Sequence, residues 1–96
     1  MDIKFREVNQ GIVEARVIIK LSEGVVLNEI TILNRNGDIE IEYPQKSFKA
    51  KTGKTHSFDI ITFDTENEKT LFSLQIKNEF KEWRKQQKKV RIFDNV

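Results

Sequence analysis

The spacing of apolar residues changes once along this 96-residue chain, and that change divides the chain into two parts. Before about residue 64, apolar and polar residues alternate, as they do in half-buried β-strands. Beyond it, apolar residues recur every three or four positions, which is the spacing of one stripe on an amphipathic helix. The sequence therefore predicts one α+β domain over residues 1–96: a mostly antiparallel strand-rich sheet within about residues 3–63, followed by one C-terminal helix over about residues 66–88.

Local signals set the expected ends of the strands. Asn36-Gly37 is a strong signal for a two-residue hairpin turn, because both residues tolerate a positive φ. Pro44 ends the strand after that turn, since proline cannot donate to a sheet ladder. In the strand before it, Val26, Ile30 and Ile32 are expected to share one face. The predicted strands are 3–8, 12–21, 25–33, 38–43 and 56–63.

The helix has a clear start and a clear apolar side. Thr65 and Glu68 match a capping box, in which the hydroxyl and the carboxylate each accept a bond from a backbone amide. The apolar stripe that follows consists of Phe72, Ile76, Phe80 and Trp83.

Composition excludes several classes of protein. The chain has no cysteine and one histidine, which excludes a disulfide scaffold, a zinc finger, a cysteine nucleophile and a multi-histidine metal site. No apolar run approaches the roughly 20 residues that cross a bilayer, and the N-terminus lacks the layout of a signal peptide. We therefore expect a cytoplasmic protein with no membrane partner.

Basic charge is concentrated in two segments, although the whole chain carries a net charge of only +2. Residues 46–57 contain four lysines and no acidic residue, and residues 77–96 contain seven basic and three acidic residues. The rest of the chain is net acidic. The distribution of charge, and not its total, is therefore what points to a polyanionic partner.

In the C-terminal helix, the basic residues fall on one side of the apolar stripe. With about 100° per residue, Lys77, Lys81, Arg84, Lys85 and Lys88 occupy one flank, whereas Glu79 and Glu82 occupy the other. One explanation is a solubilising face whose cations favour the helix C-terminus. The other is a ridge that contacts phosphates, which the lack of interleaved opposite charges favours.

The first basic segment, Lys46–His56, is predicted to be a flexible cationic loop. Two explanations fit it equally well: contact with phosphates, or protection of a sheet edge against association. Its lysines are Lys46, Lys49, Lys51 and Lys54.

Motifs for catalysis or metal binding are weak. Gly53-Lys54-Thr55 resembles the end of a phosphate-binding loop, but position 48 is Phe where that motif needs Gly. Glu40, Glu42 and His56 are the only candidates for catalytic groups, and carboxylates alternating along a strand usually form a solvated face. We expect no enzyme activity, no cofactor, no metal and no small-molecule substrate.

The order of elements resembles the SpoVG septation-regulator family. The matching features are the segment Gly24–Leu33, the Asn/Gly turn, the short strand that ends at Pro44, the lysine-bearing segment from Gln45, the Asp59-Ile60 strand and the helix of the type Leu74–Trp83. They cover roughly residues 3–85. Ser47 departs from the family, which has a second basic residue there.

The resemblance implies a small, dimeric, bacterial α+β protein that binds DNA and RNA and regulates septation, sporulation or gene expression. Together with the charge pattern, it predicts a non-catalytic homodimeric nucleic-acid-binding regulator. The predicted phosphate contacts are Lys46, Lys49, Lys51, Lys54, Lys77, Lys81, Arg84, Lys85 and Lys88. The alternative is a protein–protein interaction module whose C-terminal helix docks on a partner through its apolar stripe, with the lysines at the rim.

Overall fold

A computed structural model describes the backbone of residues 2–94 and the side chains of residues 2–87. The elements are β1 (Asp2–Gln10), β2 (Val13–Ser22), β3 (Val25–Arg35), β4 (Asp38–Glu42), β5 (Gln45–Lys49), β6 (Thr55–Asp59) and α1 (Glu66–Asp94). The strands form an antiparallel four-stranded sheet and a separate two-stranded hairpin. The α+β class predicted from the sequence is confirmed.

The four-stranded sheet is a simple meander in the order β1-β2-β3-β4. The turn between β3 and β4 has the predicted conformation, with φ of 55° at Asn36 and 96° at Gly37. The side chain of Asn34 accepts a 2.8 Å hydrogen bond from the amide of Gly37, which closes the turn. At position 37, a φ of 96° would strain a side chain with a Cβ, so glycine is the residue that this position requires.

The hydrophobic core lies between one face of this sheet and α1. Its fully buried side chains come from the two central strands and the helix: Ala15, Val17, Ile19, Ile30, Ile32, Ile76 and Phe80. The predicted stripe is confirmed, because Phe72 and Trp83 pack against the same cluster. Phe5 of β1 contacts both Phe80 and Trp83, with ring centroids 5.5 and 5.7 Å apart.

The prediction that Val26 shares the buried face of β3 with Ile30 and Ile32 is wrong. Val26 pairs with Lys20 and is 51% exposed, whereas Leu27 packs against the core instead. The register between β2 and β3 shifts between Val17 and Ile19, where an extra residue of β3 interrupts the alternation. Such a bulge reverses which residues face the core on either side of it.

The prediction of a loop over Lys46–His56 is also wrong, since most of this segment belongs to a β-hairpin. β5 pairs with β6 in register from Gln45↔Asp59 to Lys49↔Thr55. The amide of Gly53 donates to the carbonyl of Ala50, and Gly53 has a φ of 87°. This is the geometry of a turn followed by a left-handed residue, which glycine adopts most easily.

The last predicted strand is shorter than expected. It ends at Asp59 instead of residue 63, and the chain then turns back toward the core. Ile61 packs against the core cluster, and Phe63 contacts Tyr43 and Phe72 at centroid distances of 5.4 and 5.5 Å.

The helix begins where the sequence predicts and continues beyond the predicted end. The amide of Glu68 donates to the hydroxyl of Thr65 at 3.2 Å, which is the first of the two capping-box bonds. The helical backbone extends to Asp94, past the predicted boundary at residue 88. Within the described chain, no helix combines the length and the apolarity needed to cross a membrane.

Candidate nucleic-acid interface

The basic hairpin, residues 45–59, extends from the rest of the fold. Every residue of β5 and β6 is exposed, and neither strand belongs to the larger sheet. A two-stranded hairpin with no buried side chain is marginally stable on its own in water. The cross-strand bonds that hold it include Gln45 to Asp59 at 2.7 Å and Ser47 to Ser57 at 3.0 Å.

The four predicted lysines of the first segment all belong to this hairpin. Lys46 and Lys49 lie on β5, and Lys51 and Lys54 lie in the turn between the strands. Among the described side chains, none of the four has a carboxylate at ion-pair distance. Asp59, at the base of the hairpin, is engaged by the Gln45 amide. The hairpin is therefore a local region of uncompensated positive charge.

Aromatic side chains share one face of the hairpin with a lysine. Phe48 pairs with His56 and Lys46 pairs with Phe58, so strand alternation directs these four side chains to the same face. The Phe48 and His56 rings stack at a centroid distance of 5.4 Å and an interplanar angle of 25°. Phe48 and Phe58 are 6.2 Å apart and remain 51% and 50% exposed.

Sequence reasoning missed this aromatic face. The signal was the alternation of Lys46, Phe48, His56 and Phe58 on either side of Gly53, which is typical of a hairpin with a short glycine-containing turn. The high lysine content of the segment indicated a loop and concealed that alternation.

The second predicted element is the basic flank of α1, formed by Lys77, Lys81, Arg84, Lys85 and Lys88. Lys81 and Lys85 are exposed, and Lys77 and Arg84 are half-buried. The side chain of Lys88 lies outside the described residues. Among side chains of residues 2–87, Lys77 and Lys81 form no ion pair.

Two members of this flank have carboxylate partners. Arg84 lies 3.7 Å from Glu14 of β2, and its guanidinium sits 5.5 Å from the centroid of the Phe80 ring. Lys85 lies 3.3 Å from Glu82, one turn earlier in the helix. The expectation that this flank lacks acidic partners is therefore wrong for these two residues, because Glu82 is an i,i+3 neighbour of Lys85 on the helix surface and Glu14 comes from the sheet.

A β-bulge explains the contact between Glu14 and Arg84. The register of β2 against β3 shifts between Val13 and Ala15, so Glu14 is an extra residue in its strand. The bulge directs its carboxylate to the helix side of the sheet, where it also accepts a 2.5 Å bond from Asn34. Such an interruption of the alternation is not visible in a sequence pattern of period two.

Within the described chain, the strands of the basic hairpin make no contact with α1. The hairpin leaves the sheet at Pro44, and the adjacent Tyr43 packs on Phe72 in the first part of α1. The helical cations begin at Lys77 and continue toward the end of the core where Trp83 contacts Phe5. With a rise of about 1.5 Å per residue, Lys81 lies about 14 Å along the helix axis from Phe72.

The sheet carries further cations on its face away from the helix. Ile3 and Phe5 pack toward the core, so Lys4 and Arg6 project from the opposite face, where Arg6 pairs directly with Arg16. Arg16 donates a 2.8 Å bond to the buried hydroxyl of Thr31. Glu40 and Glu42 occupy the same face on β4, so this surface is mixed in charge.

The three candidates for catalytic groups are not brought together. Glu40 is bonded to Arg35 at 2.9 Å, and His56 stacks on Phe48 in the hairpin. Glu42 lines an open cleft of about 560 Å³ beside the hairpin base, with Arg16, Gln45, Asp59 and Lys69 among its neighbours. No group of three or more potential metal ligands occurs in the described part of the chain.

Tyr43 connects the hairpin base to the helix. Its hydroxyl shares a 2.7 Å hydrogen bond with Ser73, and Lys69 lies 5.8 Å from the centroid of its ring. Burial raises the pKa of the Tyr43 phenol, and the bond with Ser73 acts in the opposite direction. This side chain fixes the position from which the hairpin leaves the sheet.

Comparison with known proteins gives no relative for this chain. No family model matches it, and neither a curated protein nor a solved structure matches it.

Proposed function

We propose that this protein is a non-catalytic, homodimeric nucleic-acid-binding regulator of the SpoVG type, acting in a bacterial cytoplasm. The observation that carries the proposal is the basic hairpin: an exposed two-stranded element with four lysines and no carboxylate at ion-pair distance among the described side chains. Uncompensated lysines on a projecting element suit a phosphate backbone, whose condensed counterions they release on binding. Lys77 and Lys81 on the helix supply additional contacts.

The residues divide into stronger and weaker contributors. Among the described side chains, no carboxylate lies at ion-pair distance from the hairpin lysines, so binding a phosphate there requires no such ion pair to break. Arg84 and Lys85 must leave Glu14 and Glu82, which lie 3.7 and 3.3 Å away. We therefore expect the hairpin to contribute most of the electrostatic free energy of binding. Contacts of this kind position a protein on a nucleic acid without reading its bases.

A protein–protein interaction module is the second candidate. Docking through the apolar stripe of the helix is not possible in this fold, because Ile76 and Phe80 are buried against the chain's own sheet. A partner would instead contact Leu71 and Leu74, which are 57% and 51% exposed. The variant pair Leu71→Ser and Leu74→Ser would weaken such a complex and leave nucleic-acid binding unchanged.

The decisive experiment compares two charge-neutralised variants by fluorescence anisotropy with labelled DNA and RNA. One variant changes Lys46, Lys49, Lys51 and Lys54 to Gln, and a single-site control changes Lys20, near the end of β2 and 3.5 Å from Glu23, to Gln. The proposal predicts a large loss of affinity for the first and little for the second. It is overturned if the unmodified protein binds neither nucleic acid.

The helical contribution and the dimer need their own tests. Reversing Lys81, Lys85 and Lys88 to Glu is expected to weaken nucleic-acid binding while the dimer stays intact.

Sedimentation tests the proposed dimer directly. A single 11.3 kDa species at micromolar concentration would contradict that part of the proposal.

A further inference from the structure

The aromatic face of the basic hairpin is not explained by phosphate contacts. Phe48 and Phe58 each leave about half of their surface in water, although both face the same side of a two-stranded sheet. Adjacent exposed aromatic rings on a small protein commonly mark a binding surface. The lysines alone would bind a polyanion equally well on a hairpin with polar side chains at positions 48 and 58.

We propose that Phe48 and Phe58 form a stacking surface for unpaired bases, so that the preferred ligand is single-stranded nucleic acid. This inference rests on the proposed function and specifies its substrate class. Stacking of bases on aromatic side chains, beside a cationic path for the backbone, is the usual chemistry of single-strand binding. Lys46 lies on the same face as the two rings, Lys51 and Lys54 lie in the turn at the end of the hairpin, and Lys49 lies on the opposite face.

The spacing of the rings favours single strands over duplexes. The centroids of Phe48 and Phe58 are 6.2 Å apart, and their planes differ by 57°. Stacked bases in one strand are separated by about 3.4 Å. Two bases placed on the two rings are therefore unstacked from each other, which a single strand allows and a duplex does not. In a duplex, moreover, both faces of each base are already occupied by its neighbours.

Charge argues against a second copy of the chain as the occupant of this face. Two hairpins packed through this face would bring together two basic elements, each with Lys46 on the packed surface. Among the described side chains, no carboxylate of the hairpin faces that side to offset the repulsion, because Asp59 alternates to the opposite face. A ligand with negative charge and flat apolar rings complements the surface on both counts.

The test replaces each ring by an aliphatic side chain of similar polarity. Phe48→Leu and Phe58→Leu remove the stacking surface and leave the lysines in place, and Leu74→Ala is a control at an equally exposed apolar residue elsewhere. Anisotropy is measured with a labelled oligothymidine single strand and with a duplex of the same length. The chemical shifts of the Phe48 and Phe58 ring protons, followed by NMR during titration with the single strand, report stacking directly.

The proposal predicts that each Phe→Leu change weakens single-strand binding about tenfold and leaves duplex binding nearly unchanged. It also predicts ring-current shifts of both phenylalanines in the unmodified protein. Unchanged single-strand affinity in both variants, or ring protons that do not shift, would overturn this inference while binding by the lysines stands. Loss of dimerisation in the Phe→Leu variants, with unchanged affinity, would assign the face to a second copy and overturn it as well. If the unmodified protein binds neither the single strand nor the duplex, both this inference and the proposed function fail.

Discussion

The guanidinium of Arg84 lies 3.7 Å from the carboxylate of Glu14 and over the ring of Phe80, whereas Lys81, one turn earlier, is exposed. These two cations stand on the same flank of the helix, but they have different environments. Arg84 is held against the sheet by a neighbouring strand, and Lys81 is available to a phosphate. The difference distinguishes a cation that has a partner in the sheet from one that is available for the proposed binding, within one charged stripe.

Arg84→Gln and Lys81→Gln are therefore expected to affect different quantities: the first the stability of the fold, the second the affinity for nucleic acid. Arg84→Gln should lower the free energy of unfolding by up to about 1 kcal/mol, since partly exposed ion pairs contribute little, and should change affinity for nucleic acid only slightly. Lys81→Gln should leave stability unchanged and weaken binding. Urea unfolding and anisotropy measure the two quantities. An Arg84→Gln variant that loses more affinity than Lys81→Gln would contradict the assignment.

Tyr43 is expected to make folding stability fall at high pH. Burial raises the pKa of its phenol in the folded protein above the ordinary value of 10.0. The unfolded chain then ionises first, so that above about pH 10 the unfolded state is stabilised relative to the folded state. The contribution of Tyr43 to folding stability is fully present below the pKa of its phenol in the unfolded chain. It is lost as pH rises through the pKa of the phenol in the folded protein.

Urea unfolding of the unmodified protein and of Tyr43→Phe, each at about pH 8 and about pH 11, isolates this effect from the titration of the lysines. The Tyr43→Phe variant should be less stable at the lower pH, by about 1 kcal/mol for the lost bond to Ser73, and should lose less stability at the higher pH. Because Tyr43 is the only tyrosine, phenolate absorbance reports its titration alone. Equal losses of stability in both proteins would refute the raised pKa.

The core of the domain depends on the apolar stripe of the helix, and a buried and an exposed position on that helix test this. Phe80 is 1% exposed, so Phe80→Ala should lower the free energy of unfolding by about 3–5 kcal/mol through lost burial and the cavity left behind. Leu74 is 51% exposed on the same helix, so Leu74→Ala should change it by less than about 0.5 kcal/mol. Similar unfolding midpoints in denaturant for the two variants would mean that the helix does not pack as described.

Local signals in the sequence predicted most of the fold. Asn36-Gly37 placed a hairpin turn, Thr65 placed the start of the helix, and the spacing of Ile76, Phe80 and Trp83 predicted which side of the helix is buried. Each of these depends on interactions between residues near one another in the chain. That is why a pattern of period two or 3.6 is enough to find them.

The features that the sequence did not predict depend on contacts between distant strands. The β-bulges that expose Val26 and direct Glu14 toward Arg84 arise from the pairing of β2 with β3 and leave no mark on either strand alone. The hairpin was mistaken for a loop because its strands bury nothing, so hydrophobic alternation was weak. The basic flank was found from helix geometry, but the carboxylates of Glu14 and Glu82 that engage two of its members were not.

The central claim is that the lysines of the basic hairpin bind phosphates, and the salt dependence of binding to duplex DNA tests it most directly. If about five phosphates are neutralised, the logarithm of the association constant should fall against the logarithm of salt concentration with a slope near −4 to −5. Changing Lys46, Lys49, Lys51 and Lys54 to Gln should reduce the magnitude of that slope by about 3 to 4. A slope that is flat in the unmodified protein, or that the four substitutions leave unchanged, would contradict the account.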